Sequence, residues 1–497
     1  MKVNFIFFML LTYPFLMLAQ WTQLGTDIDG VATNDQSGFA VSLSADGNTV
    51  VIGSPFNDSN GSTSGHVRIF ENIANVWQQK GNAIDGLMAG DTFGFSVSIS
   101  ADGNTIAVGA PDSNANGFES GHVRVFQFQE NDWIELGNGI IGEALSDHSG
   151  YAVSISNDGN RLAIGAPDNG LVANVGSNYG QVRIYELQND TWVQIGEDID
   201  GENPEDNSGF AISLNEDGSI VAIGAPNNSN TSQGAGHVRV YAFETDVWVQ
   251  IGDDIDGLAS NDKFGGAVSL NDQGTILAVG ARDHNGAGQV RVFENLADAW
   301  TMLGNALDGA AIDDKFGISV SLNGDGTILA VGARSNNGDL GDTGYTRVYK
   351  NQLANWQQID NDMNGEAIQD RFGSSVSLST DGSIVAIGAY LNDGNGSNSG
   401  HVRLFSNANV LNNESFRLLD NIKVYPNPTA NQLHINLRDM ISNYNVQLYN
   451  MQGKQMYSQD YMNSNDIAID MTSFSEGIYV FKLQFDKEQK TLKVVKQ

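Results

Sequence analysis

Between Asp91 and Gly137 the chain changes character in short bursts. Small and apolar residues alternate with polar ones through Gly94–Ser100, crowd together in Thr105–Ala110, and alternate again in Gly121–Phe126. A last burst, Trp133–Gly137, closes the stretch. A period of two marks a half-buried strand, and a short unbroken apolar run marks a strand covered on both faces. The Asp102-Gly103 pair between the first two bursts is a tight hairpin signal. No helical period intervenes. The stretch therefore predicts a four-stranded antiparallel meander, with strands A to D in chain order.

The pattern recurs. Trp21, Trp77, Trp133, Trp192, Trp248, Trp300 and Trp356 lie 56, 56, 59, 56, 52 and 56 residues apart, each in the same local setting. An aspartate follows each tryptophan by 14 residues: Asp35, Asp91, Asp147, Asp206, Asp262, Asp314 and Asp370. Five residues beyond that aspartate stands Ala or Ser, and two further on always Ser (Ser42, Ser98, Ser154, Ser213, Ser269, Ser321, Ser377). Seven repeated sheets suit a β-propeller, whose innermost strands are crowded and need small side chains. Strand A is expected innermost. The last unit, after Trp356, has strands A, B and C but no tryptophan-bearing D, whereas Trp21–Gly25 is a D strand without a unit. The N-terminal strand is expected to complete the seventh blade and leave no open sheet edge. The predicted fold is all-β: a seven-bladed propeller over 20–405, a linker over 406–421 and a small β-sandwich over 422–497.

Three features carry a family resemblance. Phe-Gly opens strand A at Phe93, Phe264, Phe316 and Phe372, and the aromatic moves two places on at Phe39, Tyr151 and Phe210. Gly-Ala-Pro closes strand B at Gly109, Gly165 and Gly224, and "GHVRVF"-like strands follow. The chain thus resembles FG-GAP repeats, the units of the integrin-α type of propeller. Calcium-binding members carry an Asp-rich cage between the first two strands. Here that loop is "SADGN" (Ser44–Asn48) and its equivalents. One aspartate falls short of the six to eight oxygens calcium takes, so Asp46, Asp102, Asp158, Asp217, Asp325 and Asp381 read as turn residues. The tail blocks "VYPNPTANQLHINL", "VQLYNMQGK" and "GIYVFKL" resemble the C-terminal sorting domain of type IX secretion. That resemblance implies partnership with the type IX machinery, passage across the outer membrane and a Bacteroidota-type source.

Charge separates the two regions. Residues 21–405 hold 15 Lys and Arg against 50 Asp and Glu, and residues 406–497 hold nine of each. So acidic a surface repels nucleic acid. Lys2, the apolar run Phe5–Leu18 and Ala19 have the layout of a signal peptide over 1–19, and no later stretch is apolar enough to span a membrane. There is no cysteine.

Candidate chemistry gathers on one face. In a meander blade the B–C loops and the D–A links share an end. The B–C loop carries all the length variation, and the ten-residue links hold 23 acids and no base. Asp27, Asp29, Asp198, Asp200, Asp254 and Asp256 of the "DID" links are candidates for a cation or ligand face, with calcium as a possible occupant. Arg68, Arg124, Arg183, Arg239, Arg291, Arg347 and Arg403 repeat once per blade in strand C and are expected to bond an acid or carbonyl between strands or blades. The repeated tryptophans and aspartates are expected to serve the blade. His66, His122, His237 and His401 start strand C in four blades and are expected to lie too far apart to share a metal. No catalytic motif stands out, and the inner strands read as nearly uniform. The expectation is a secreted or surface binding or adhesion module for a glycan, matrix polymer or protein; an extracellular polysaccharide-degrading enzyme or a surface-layer component are the alternatives.

Overall fold

In the computed structural model, residues 20–170, 177–335, 342–407, 423–436, 443–450, 454–462, 466–485 and 488–497 are described. The expected signal peptide and nearly all of the expected linker lie outside them. The chain forms two compact units, Met1–Asn409 and Val410–Gln497.

Among its described residues the first unit contains seven antiparallel sheets. In the second of them strand A is Ser96–Ile99, B is Thr105–Ala110, C is His122–Gln129 and D is Asp132–Glu135. A two-residue link strand, Ile140–Ile141, pairs with the start of strand C, on the edge whose far half holds strand D. The outer strand is thus one line broken at a glycine turn. Strand B is buried along its whole length, as an apolar run of six requires.

The seventh sheet is closed by the N-terminus. Thr22 and Gln23 pair with Ser406 and Phe405, and Ile28 and Asp29 pair with Val402 and His401. Trp21 is buried there.

Three rings of contacts run round the axis. The Ser42 hydroxyl accepts from the Ile99 amide of the next blade at 3.3 Å, and Ser98, Ser154, Ser213, Ser269, Ser321 and Ser377 repeat the bond at 2.9–3.0 Å, the last one to Leu43. At the A–B end the Ala45 amide donates to Ala101, and the relay continues through Asn157, Glu216, Asp272, Gly324 and Thr380 back to Ala45. The third ring is steric. A Cβ on Gly53 would lie 2.0 Å from the Gly94 carbonyl oxygen of the next blade, and Gly388 meets Gly38 at the same distance. Only glycine lets strand B approach its neighbour so closely. Each ring has seven members, so the propeller has seven blades and no gap.

The second unit stacks a three-stranded sheet (Lys423–Tyr425, Gln432–Asn436, Asp466–Asp470) and a four-stranded sheet (Asn443–Asn450, Gln455–Met462, Gly477–Phe485, Glu488–Lys496) on one core that includes Leu433, Ile435, Val446, Leu448 and Phe481.

Candidate ligand-binding site

Most of the tryptophans and arginines that repeat once per blade bond across a blade boundary, whereas the buried indole nitrogen of Trp21 has no hydrogen-bond partner. The Trp77 indole donates to the Leu24 carbonyl of the preceding blade at 2.8 Å, and Trp133, Trp192, Trp248, Trp300 and Trp356 do the same at 2.8–3.0 Å. Arg68 reaches the Asp29 carbonyl, Arg124 that of Asp85, Arg183 Ile141, Arg239 Asp200, Arg291 Asp256 and Arg403 Asn364, all at 2.6–3.4 Å and all across a blade boundary. Arg347 departs from the series and forks onto Asp362 of its own blade at 2.9 Å through both nitrogens. Asp35, Asp91, Asp147, Asp206, Asp262, Asp314 and Asp370 are buried. Each accepts the backbone amide three residues before it, at 2.7–2.9 Å. Several also tie the link to the B–C loop, as Asp370 does through Asn392 at 3.1 Å. In the A–B turns Asp46 is occupied by Ser44 and Asn48, and Asp102 by Ser100 and Asn104.

The six candidate link acids do not form one site. Asp27 and Asp29 belong to the boundary after the seventh blade, Asp198 and Asp200 to that after the third, and Asp254 and Asp256 to that after the fourth. Gln23, Gln194 and Gln250 donate to Asp27, Asp198 and Asp254. Burial, with Asp198 beside it, pushes the Asp200 carboxyl above its ordinary value.

The link end of the axis is different, and here the reading of uniform inner strands is wrong. Four residues after the repeat aspartate, blades one to four carry Phe39, Phe95, Tyr151 and Phe210, while blades five to seven carry Gly266, Ile318 and Ser374. The aromatics form a continuous arc with ring centroids 4.9 Å apart, and Tyr390 of the seventh blade extends it at 5.5 Å from Phe39. At the end of strand B, blades one to four carry Pro55, Pro111, Pro167 and Pro226, where five to seven carry Arg282, Arg334 and Tyr390. Just after the repeat aspartate, blades five to seven carry Lys263, Lys315 and Arg371. The mouth is therefore aromatic on one side and basic on the other.

The two arcs touch. The Arg282 guanidinium lies 5.4 Å from the Phe210 centroid. Lys315 pairs with Asp283 at 2.8 Å, and Arg371 donates to the Ser335 hydroxyl at 2.5 Å. Of the eight propeller bases outside the strand C series, five stand here (Lys263, Arg282, Lys315, Arg334, Arg371). On the aromatic side His148 has Nδ1 2.8 Å from Asp168, with Glu119 and Asp112 at 3.5 and 3.7 Å from Nε2. Asp168 raises the His148 pKa against the opposing effect of burial. Burial pushes the neighbouring Tyr151 phenol up to about 12. All the arc residues are half-buried, within reach of solvent.

The FG-GAP repeat family matches residues 26–70, 78–126 and 364–405, and the secretion system C-terminal sorting domain family matches residues 423–497. The chain contains FG-GAP repeats over those residues and ends in a secretion system C-terminal sorting domain. The sorting domain assigns it to export by the type IX machinery, to the exterior or the outer surface. Among the described residues no helix is long and apolar enough to cross a membrane. No curated protein matches. Solved structures similar to this chain include a putative 6-phosphogluconolactonase from Bacteroides uniformis (13% identity, 66% of this chain and 86% of that one, TM-score 0.47). A periplasmic gluconolactonase from Pseudomonas aeruginosa (15%, 66% and 85%, 0.46) and the Dos1 propeller (13%, 77% and 95%, 0.44) are others.

Proposed function

We propose that the exported propeller is a binding module whose axial mouth, on the link face, holds an acidic polysaccharide. The juxtaposition of an aromatic arc with a basic arc supports this reading. Sugar rings present an apolar face that stacks on Phe and Tyr, and uronate or sulfate groups are met by Lys and Arg. Five bases in one sector focus attraction on the mouth while the acidic remainder of the propeller repels polyanion, which gives position as well as affinity. An adhesive role follows if such a polymer coats a surface the cell meets. The signal peptide over 1–19 and a Bacteroidota-type source fit the same reading.

The test is retention of the full chain by polygalacturonate and alginate against neutral dextran, in affinity electrophoresis. The wild type is expected to be retarded by the polyuronates alone, and less so as salt rises. Equal retardation by dextran, or none by either polyuronate, overturns the reading.

The His148–Asp168 pair favours one second reading, a polysaccharide-degrading enzyme with His148 as proton carrier. Release of new chain ends from a bound polyuronate, lost in His148→Ala with binding retained, would establish it.

A further inference from the structure

Away from the axis, two blades hold a buried imidazole facing two carboxylates. In the fourth blade His237 is 1% exposed, and its Nδ1 has no hydrogen-bond partner. That nitrogen points at Oδ2 of Asp254 at 3.6 Å and Oε2 of Glu202 at 4.0 Å. In the seventh blade His401, also 1% exposed, has Nδ1 3.6 Å from Oδ2 of Asp27, with Glu366 completing the group. In each group the three ligand atoms lie within 4.8 Å of one another.

We propose that His237, Asp254 and Glu202, and equivalently His401, Asp27 and Glu366, are two sites for a divalent first-row transition ion of the zinc type. The separations are too long for hydrogen bonds. They suit atoms sharing one ion, since ligands of a tetrahedral zinc lie about 3.4 Å apart given metal–ligand bonds of about 2.0–2.1 Å. The other oxygen of each aspartate is held from behind, and that of each glutamate faces an arginine. Gln250 donates to Oδ1 of Asp254 at 2.8 Å, and Gln23 to Oδ1 of Asp27 at 2.5 Å. Arg239 stands 3.9 Å from Oε1 of Glu202, and Arg403 3.7 Å from Oε1 of Glu366. Such support fixes a ligand's orientation. Burial, reinforced by Arg239, lowers the His237 pKa, and the neutral imidazole is the form that coordinates.

The other blades act as internal controls. The site needs a histidine at the start of strand C, a glutamate in the link before the blade and an aspartate in the link after it. The first blade has His66 but Val31 and Ala83; the second has His122 but Leu87 and Gly139. The third has both acids, Glu143 and Asp198, but Gln181 in place of histidine, and that amide bonds Asp198 directly at 2.9 Å. Blades four and seven alone carry the whole set. Three protein ligands leave a coordination position for water, and the ion joins the links on both sides of a blade in a chain that has no disulfide. Imidazole in the ligand set selects for zinc, cobalt or nickel over calcium.

The full chain, stripped with chelator, is titrated with Co2+ and read by its visible d–d absorption. Two equivalents are expected, His237→Gln and His401→Gln each removing one and the double variant both. Glutamine is safe for the fold because Gln181 already fills this place. Zn2+ is expected to raise the Tm of the wild type by about 3–5 °C and to leave the double variant unmoved. His122→Gln keeps both equivalents. Glu202→Gln weakens the site in the fourth blade at least tenfold. No Co2+ binding by the wild type, unchanged stoichiometry in the double variant, or displacement of Co2+ by equimolar Ca2+ overturns the proposal.

Discussion

The two ends of the propeller axis are built on opposite rules. At the A–B end the seven ring members are Ala45, Ala101, Asn157, Glu216, Asp272, Gly324 and Thr380, chemically unlike one another, yet every one bonds through its backbone. The amide relay does not use the side chains, so it tolerates this variety. At the link end the side chains line the opening, and their identity divides the mouth into an aromatic sector and a basic one. A closed backbone ring at one end lets the other end vary without opening the fold. Repetition marks what holds the blades; departures from repetition at equivalent positions mark the candidate site.

Breaking the ring itself should have the largest effect. Deleting residues 20–25 removes buried Trp21 and the strand paired with Ser406 and Phe405, and exposes an edge of strand C. Loss of a buried Trp and its neighbours is expected to cost about 5 kcal/mol and lower the Tm by roughly 10 °C. A thermal melt decides it, and a Tm within 2–3 °C of wild type would mean that the ring does not depend on this strand. Asp370→Ala comes next. Its carboxylate is 2% exposed and serves both the Ala367 amide and Asn392, so removal strands two donors, at about 2–3 kcal/mol in urea unfolding. Polyuronate binding should survive, because the change lies in the scaffold.

The scaffold is largely legible in the sequence. The tryptophan spacing and the serine in strand A are local patterns repeated seven times, and the single Trp21–Gly25 strand without a unit of its own implies that they close into a ring. The mouth was legible only as noise. Phe39, Tyr151 and Phe210 look like displaced copies of the Phe-Gly pair, and Gly-Ala-Arg at Arg282 and Arg334 looks like a failed Gly-Ala-Pro. Aligning the units on the repeat aspartate, and asking where they disagree, would have found both arcs. The His237 and His401 groups were harder, since each joins residues from the links on both sides of one blade, and His401 meets Asp27 across the closure of the ring.

The mouth should respond oppositely to the scaffold. Lys315→Gln, Arg334→Gln and Arg371→Gln together are expected to weaken polyuronate binding about 10–100-fold and flatten its salt dependence, with the Tm within about 2 °C of wild type. Phe95→Ala should cost less affinity and none of the salt dependence. A triple variant that binds normally would place the ligand elsewhere.

Acid should reach the link side of the blades before the A–B side. Burial, with Arg68 beside it, lowers the His66 pKa to about 4. The unfolded chain therefore takes up more protons than the fold between about pH 6.5 and 4, so stability holds above that window and falls as pH drops through it, by on the order of 2 kcal/mol at pH 5 from His66 alone. At the other face burial opposes ionisation of Asp46, and hydrogen bonds from the Asn48 backbone and the Ser44 hydroxyl overcome it, so its pKa lies below the ordinary value. That contribution is kept until the pH falls below about 3.8. His66→Gln should reduce the loss of urea stability between about pH 6.5 and 4, leaving the share of the other buried histidines His122, His237 and His401, and keep the lower limb intact.

The smallest effect tests whether the ring is uniform. Ser321 accepts the Leu378 amide at 3.0 Å between the sixth and seventh blades, and Ser377 accepts the Leu43 amide at 3.0 Å across the closure. Either serine replaced by alanine leaves one partly buried amide without its acceptor, at about 1 kcal/mol. The chain is continuous between the sixth and seventh blades, whereas the first and seventh are joined only by closure of the ring. If closure is as tight as any other joint, Ser321→Ala and Ser377→Ala cost the same within about 0.5 kcal/mol in urea unfolding. If the N-terminal strand is the weak joint, Ser377→Ala costs more and steepens the loss caused by deleting residues 20–25, because both changes then act on one opening.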